Sequence, residues 1–345
     1  MTSTNISCTT QDIAQRLGIH IGHYEDPRRP TGCTVCLYPS GASAGVSVVG
    51  AAPGTRETDL LNPASTVEQV HGILLGGGSA FGLDAAGGVM RWLSEQGYGL
   101  NVGPVRVPIV PGAVLFDLWV DDFQRFPHGS GVTPDAEAGY QACINAMNPT
   151  LSVGCGNVGA GAGATVGKLN GNECAMRGGL GMAMLAVDGF TMAAVVACNA
   201  VGDVVDPATG QILAGARKSP DSLDFLNSVD AELRGHHSAE LKPGANTTIG
   251  VIMTDAVLSK ADAQNLARIG HDGLARAIRP VHTRMDGDTL FTLATGRNPG
   301  PVDMMNLMTA ATEATTQAIL AAIYHAQSLS IGQFTYPAFK DISQG

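Results

Sequence analysis

"GANTTIGVIMTDA", residues 244–256, joins two kinds of chain with nothing between them. Upstream, "RGHHSAELKPGAN" (234–246) is polar and carries Gly and Pro. Downstream, Ile249, Val251, Ile252 and Met253 make an apolar, β-branched run that predicts a buried strand. That strand opens on Thr247-Thr248, with no hairpin turn before it. Scission between Asn246 and Thr247 would make Thr247 the first residue of a strand, with a free α-amine beside its hydroxyl. The ordinary pKa of such an amine is about 8, so it can accept the hydroxyl proton near neutral pH. One residue then holds nucleophile and base, the N-terminal threonine form of covalent catalysis. The same hydroxyl could make the cut. Its Oγ attacks the Asn246 carbonyl, an ester forms by acyl shift, and water hydrolyses it. The upstream segment is polar, so its loss need not tear a core. A Thr-Thr pair at the start of a strand is also ordinary and usually inert, so the pair alone does not decide the matter.

The rest of the chain reads as paired strands with helices. "TVCLYP" and "AGVSVVGAA" alternate as strands between Gly32 and Pro53. "VHGILLGGGSAFGLDAAGGVMRWLSEQG" begins apolar, breaks at Gly76-Gly77-Gly78 and continues as a helix to about Gln96, with Phe81, Leu83, Val89, Met90 and Leu93 on its apolar face. "VRVPIVPGAVLFDL" reads as a strand pair about a Pro-Gly turn, and "PDAEAGYQACINAM" as a helix begun at Pro134-Asp135. Asp188-Gly189 predicts a two-residue hairpin turn. A short helix is expected near 221–230. Beyond the 247 strand come a helix started by Ser259 and ended before Pro280, the strand "DTLFTLATG", and a long helix, "DMMNLMTAATEATTQAILAAIYHAQ". The tail from Ser328 shows no pattern. Strands arrive in pairs more often than singly between helices. That argues for layered sheets with helices outside, not a doubly wound parallel sheet.

Composition narrows the partners. The net charge is −10 and no cluster of Lys or Arg occurs, which speaks against nucleic acid and anionic membranes. Only 14 % of residues are charged in a chain of 345, which suggests surface hidden in a homo-oligomer, a tetramer being plausible. The apolar stretch around 181–200 is interrupted by Asp188-Gly189 and reads as two strands, not a span. "MTSTNISCTTQDIAQRLG" has neither a basic start nor an apolar run, so a cytoplasmic location is expected. The seven cysteines are odd in number and scattered. Cys33 and Cys36 form a C-x-x-C, but inside a strand-like run and with no second pair to complete a zinc site, so reduced core thiols and no metal are expected.

The glycine runs invite a nucleotide reading and fail it. In "GNVGAGAGATVGKL", position 162 is Ala where a phosphate loop needs Gly, and Leu169 follows Lys168 where Ser or Thr is required. A strand follows where a dinucleotide fold needs a helix. "LGGGSAFG" is more simply close backbone packing, although such a turn could offer N–H groups to a pocket. No cofactor is expected.

"GANTTIGVIMTDA", "HDGLARAIRPVHT" and "MDGDTLFTLATG" resemble the family of L-aminopeptidase/D-esterase, β-peptidyl aminopeptidases and nylon-6 oligomer endohydrolases. The likeness extends to "GGGSAFGLDAAGGVMRWL", "VPIVPGAVLFDL", "GAGATVGK" and "VVACNAVGDV", in the family's order over most of the chain. It implies an α+β fold, a four-layer αββα sandwich of the N-terminal-nucleophile type. It also implies one domain cut into a larger chain, 1–246, and a smaller one, 247–345. By this resemblance Thr247 is the nucleophile and Asn246 the residue before the cut. Asn199 supplies an oxyanion amide, Lys168 lies beside the nucleophile, and Asp286 and Asp288 orient lysine and nucleophile. A carboxylate beside Lys168 would satisfy a buried ammonium. The implied substrates are short peptides, β-amino acid amides or 6-aminohexanoate oligomers. Acyl transfer of the ornithine acetyltransferase type, or an unprocessed non-catalytic homologue, are the alternatives. One departure stands out: Phe116, in "AVLFDL", occupies a position where the family often has tyrosine.

Overall fold

The computed structural model describes residues 8–122, 131–236 and 244–342. Residues 1–7 and 237–243 lie outside that set, so the leader-free N-terminus and most of the polar stretch before the 247 strand are expectations it does not address.

A long sheet path runs through the chain in the order Gly179–Val187, Phe190–Asn199, Thr247–Ala256, Thr289–Asn298, Gly32–Val48, Val70–Gly76, Gly112–Val114 and Thr55–Arg56. His20–Glu25 pairs with Gly32–Val48 off this path. The path is folded into two layers, and Gly32–Val48 is the crease. Its residues 33–37 pair with Val70–Gly76, its residues 43–48 pair with Thr289–Asn298, and the register shifts between Leu37 and Ala42. Gly41 sits in the crease at φ 90°, a left-handed backbone open to glycine, and a Cβ there would meet Gln69 Oε1 at 2.7 Å. The two strands expected between Gly32 and Pro53 are thus one strand that changes sheet.

Side-chain alternation assigns the layers. Ile249, Val251 and Met253 face a core between the sheets, together with Ala193, Val195, Cys36, Ile73 and Phe291. Ile252, Ala194, Val196 and Leu290 face the other way, onto helices Lys260–Ala277 and Met304–Tyr324. Cys33, Val35, Leu37 and Leu74 face helices Ala85–Glu95 and Ala136–Ala146. Three apolar interfaces between four layers give an αββα sandwich, as the sequence leads one to expect. Helix starts follow capping chemistry: Ser259 accepts from Asp262 N–H, and the Asp135 and Asp303 side chains do the same for their helices.

Several local expectations need correction. Gly112–Val114 pairs in parallel with Val70–Gly76, while Val105–Val107 pairs with Leu100–Val102, so "VRVPIVPGAVLFDL" is not one hairpin. Phe81 is 69 % exposed and lies in a 3₁₀ turn, Ser79–Asp84, ahead of its helix. The helix expected near 221–230 begins later, at Ser228–Leu233. The tail carries a small hairpin, Leu329–Ile331 with Phe334–Tyr336. The Asp188-Gly189 turn forms as expected, with φ 46° and 82°. All seven cysteines are free, and Cys33 and Cys36 point to opposite sides of their strand. No helix among the described residues is long and apolar enough to cross a membrane.

Candidate active site

Thr247 heads a central strand and lies directly opposite Asn199, the last residue of the neighbouring antiparallel strand. Both are sealed: Thr247 is 2 % exposed, Asn246 and Asn199 are 0 %. The chain is continuous through Asn246-Thr247, and Thr247 Oγ1 lies 2.5 Å from the Asn246 carbonyl oxygen, to which it donates. Both polar atoms of the Asn246 side chain are buried without a hydrogen-bond partner among the described residues. Leaving such a group unpaired costs about 1–3 kcal/mol.

The Asn199 amide is oriented by its partners. Its Oδ1 accepts from Thr165 N–H at 3.0 Å and from Lys168 Nζ at 2.9 Å, and its Nδ2 donates to the Phe116 carbonyl at 3.0 Å. One amide hydrogen remains for an oxyanion. Phe116 thus contributes its backbone oxygen, while its ring meets Trp119 edge-on, 4.9 Å between centroids. The neighbouring Asp117 is fully buried. It accepts from Arg29, from Thr31 Oγ1 at 2.7 Å and from Gly78 N–H at 3.0 Å. The glycine-rich turn at 76–78 therefore gives that N–H to an internal carboxylate, not to a pocket.

Lys168 is buried and donates to Asn199 twice, through O at 2.8 Å and Oδ1 at 2.9 Å. Burial pulls its ammonium down to about 7, against the opposing charge of Asp286. Its hydrogen bonds go to Asn199, and the Asp286 carboxylate acts on it through charge without a direct hydrogen bond. Asp286 is pushed up by burial and by its neighbour Asp288, and it accepts from Thr283 N–H and Oγ1 at 2.8 and 2.6 Å. Asp288 bridges two elements. One oxygen accepts from Thr248 N–H at 2.7 Å, the other from His282 Nδ1 at 2.7 Å.

All five expected side chains therefore converge on the head of the 247 strand. His282 and Thr283 were missed, although both stand in the quoted "RPVHT". His282 has a left-handed backbone, φ 56°. Burial, the largest single influence, lowers its pKa, but the Asp288 hydrogen bond and charge, with the smaller pull of Asp286, together outweigh it and the pKa is raised. Neither feature shows as a sequence spacing.

The model of peptidase family S58 matches residues 11–334. The chain belongs to peptidase family S58. This S58 chain is 41 % identical over 356 aligned positions to an uncharacterised aminopeptidase of Mycobacterium tuberculosis, with 95 % of this chain and 96 % of that one covered. It is 31 % identical to the 6-aminohexanoate-oligomer endohydrolase of Paenarthrobacter ureafaciens, over 81 % of this chain and 73 % of the relative. Among solved structures, a Burkholderia β-aminopeptidase superposes with a TM-score of 0.68 at 20 % identity, covering 100 % of this chain and 96 % of that one. The L-aminopeptidase D-Ala-esterase/amidase of Ochrobactrum anthropi, described as a variant of the Ntn-hydrolase fold, gives 0.65 at 17 %. The S58 chain is accordingly an amide-bond hydrolase with that sandwich fold.

Proposed function

We propose that the chain cuts itself between Asn246 and Thr247, giving a 1–246 and a 247–345 fragment, and then hydrolyses amides through the new N-terminal threonine. The observation that carries this reading is the buried contact between Thr247 Oγ1 and the Asn246 carbonyl, at the head of a rigid strand and opposite Asn199. Self-cleavage proceeds by attack of Oγ on that carbonyl, with neutral Lys168 taking the hydroxyl proton. Its lowered pKa leaves a usable fraction of free amine at neutral pH. In turnover the Thr247 amine replaces Lys168 as base, and Asn199 donates to the substrate oxyanion. Asp288 holds the backbone next to the nucleophile through Thr248 N–H, and Asp286 sets the local charge around Lys168.

The substrates proposed are short peptides with a free N-terminus, β-amino acid amides, or 6-aminohexanoate oligomers, the last by likeness to the endohydrolases. The missing hydroxyl at Phe116 favours a substrate range of its own. The chain is proposed to act as a cytoplasmic homo-oligomer, supported by its low charge and its exposed Phe81, Val102 and Val105. A tetramer is the size to test, by light scattering.

Mass spectrometry of the purified protein tests the central step. It should find an N-terminus at Thr247 and fragments of about 25 and about 10 kDa by share of residues. Thr247→Ala should remain whole and inactive, and Thr247→Ser should still cut. Normal maturation of the alanine variant would sink the mechanism.

A further inference from the structure

One backbone donor beside the 246–247 bond has no part in the scheme above. The N–H of Gly287 donates to the Asn246 carbonyl oxygen at 2.9 Å, the same oxygen that Thr247 Oγ1 contacts. We infer that Gly287 N–H is the oxyanion donor of self-cleavage, separate from the Asn199 amide that serves substrates; the inference rests on the self-processing reading.

Three observations support the division. First, the hydrogen bonds of Asn199 go to Phe116, Thr165 and Lys168, and not to the Asn246 oxygen. Second, the Gly287 peptide is held in place. Asp286 O accepts from Ala52 N–H at 2.9 Å, Gly287 O accepts from Thr289 Oγ1 at 3.0 Å, and Asp288 O accepts from Val49 N–H at 3.1 Å. Asn246 and Asp286 also form a parallel bridge. A donor fixed before the reaction need not reorganise as charge develops. Third, a Cβ at Gly287 would stand 2.9 Å from Thr247 Oγ1 and 2.5 Å from Ala52 O. Its backbone is not left-handed, so the absence of a side chain serves space: the N–H and the nucleophile must share one carbonyl.

In the step itself, Oγ forms a bond to the Asn246 carbon and its proton passes to neutral Lys168. The carbonyl π pair moves onto the oxygen, to which Gly287 N–H donates a hydrogen bond. The pair then re-forms C=O as the C–N bond breaks, and Lys168 returns the proton to the Thr247 nitrogen. Water splits the ester, leaving an Asn246 carboxylate and the free hydroxyl.

Replacement of Gly287 by glycolic acid, through nonsense suppression, exchanges N–H for O without adding bulk. Fragment formation should slow by about 10²- to 10³-fold, the effect of losing one oxyanion donor. Amide turnover per matured chain should stay within about threefold of wild type. Maturation at the wild-type rate overturns the inference, as does an equal fall in both rates. A wild-type chain that never cuts would instead overturn the self-processing reading. The Thr247→Ala chain keeps Gly287 and gives a second reading, independent of whether the ester chain folds. Its crystal structure should hold Gly287 N within hydrogen-bond distance of the Asn246 oxygen, and separation beyond about 3.5 Å overturns the inference.

Discussion

A buried lysine whose ammonium sits near 7 ties the proposed chemistry to pH. Below that value Lys168 is protonated and has no lone pair for the Thr247 hydroxyl; above it the free amine predominates. Burial lowers it, and the carboxylates that oppose burial are Asp286 and then Asp117. The Cys198 thiol beside it is pushed up to about 12 by burial and carries no charge in this range. Self-cleavage of freshly purified precursor should therefore rise about tenfold per pH unit up to about 7 and then level off. Gel densitometry over time at a series of pH values measures it. Lys168→Met removes the base without leaving a charge behind and should abolish the dependence along with most of the rate. A flat profile in the wild type would rule out Lys168 as the base. Thr247, Asn199, Lys168, Asp286 and Asp288 were all legible in the sequence because strand ends and a family likeness mark them. His282 and Gly287 were not: the imidazole of one reaches Asp288 from a left-handed backbone that no spacing marks, and the contact of the other is an N–H that every residue but proline carries.

At the level of the helix and the strand, close approach explains glycines that no motif explains. A Cβ at Gly181, on strand Gly179–Val187, would meet Ala318 O at 1.8 Å, because helix Met304–Tyr324 lies directly on that strand. Gly181→Ala should cost about 1–3 kcal/mol or more in urea unfolding, since a backbone atom cannot move aside as a side chain does. Gly87, in helix Ala85–Glu95, has nothing within 4 Å of its Cβ position. Gly87→Ala should gain about 0.4–1 kcal/mol by the same measurement, through lower entropy of the unfolded chain. If the two substitutions have equal effects, packing is not what selects glycine there. Single elements with strong alternation or caps were readable, Thr247–Ala256 and Lys260–Ala277 among them. Partners were harder. Gly112–Val114 was joined to the wrong neighbour because a parallel pairing leaves no local turn to read, and the crease at Gly41 hid one strand inside two.

Across the whole molecule, the proposed cut divides the chain but not its sheet. Thr247–Ala256 pairs with Phe190–Asn199 on one side and Thr289–Asn298 on the other, and Thr289–Asn298 in turn pairs with Gly32–Val48. The two fragments should therefore elute together in size-exclusion chromatography under native conditions and part only in denaturant. Separation in plain buffer would contradict the sheet order. Layered sheets with outer helices were legible from paired strands, and the four-layer order came from the family resemblance. Which strand crosses between layers was not legible, because a bend at one glycine leaves the alternation on either side intact.

The enclosure of Thr247 has a consequence for the life of the protein. While the 246–247 bond is whole, Thr247 has no free amine, and its hydroxyl is engaged with the polypeptide's own carbonyl. On the proposed scheme the first catalytic event would serve as an assembly inspection: only a molecule whose separate strands have come together correctly would release its own reactive terminus. Mis-assembled copies stay chemically silent, so on the proposed scheme the cell never meets a half-built hydrolase.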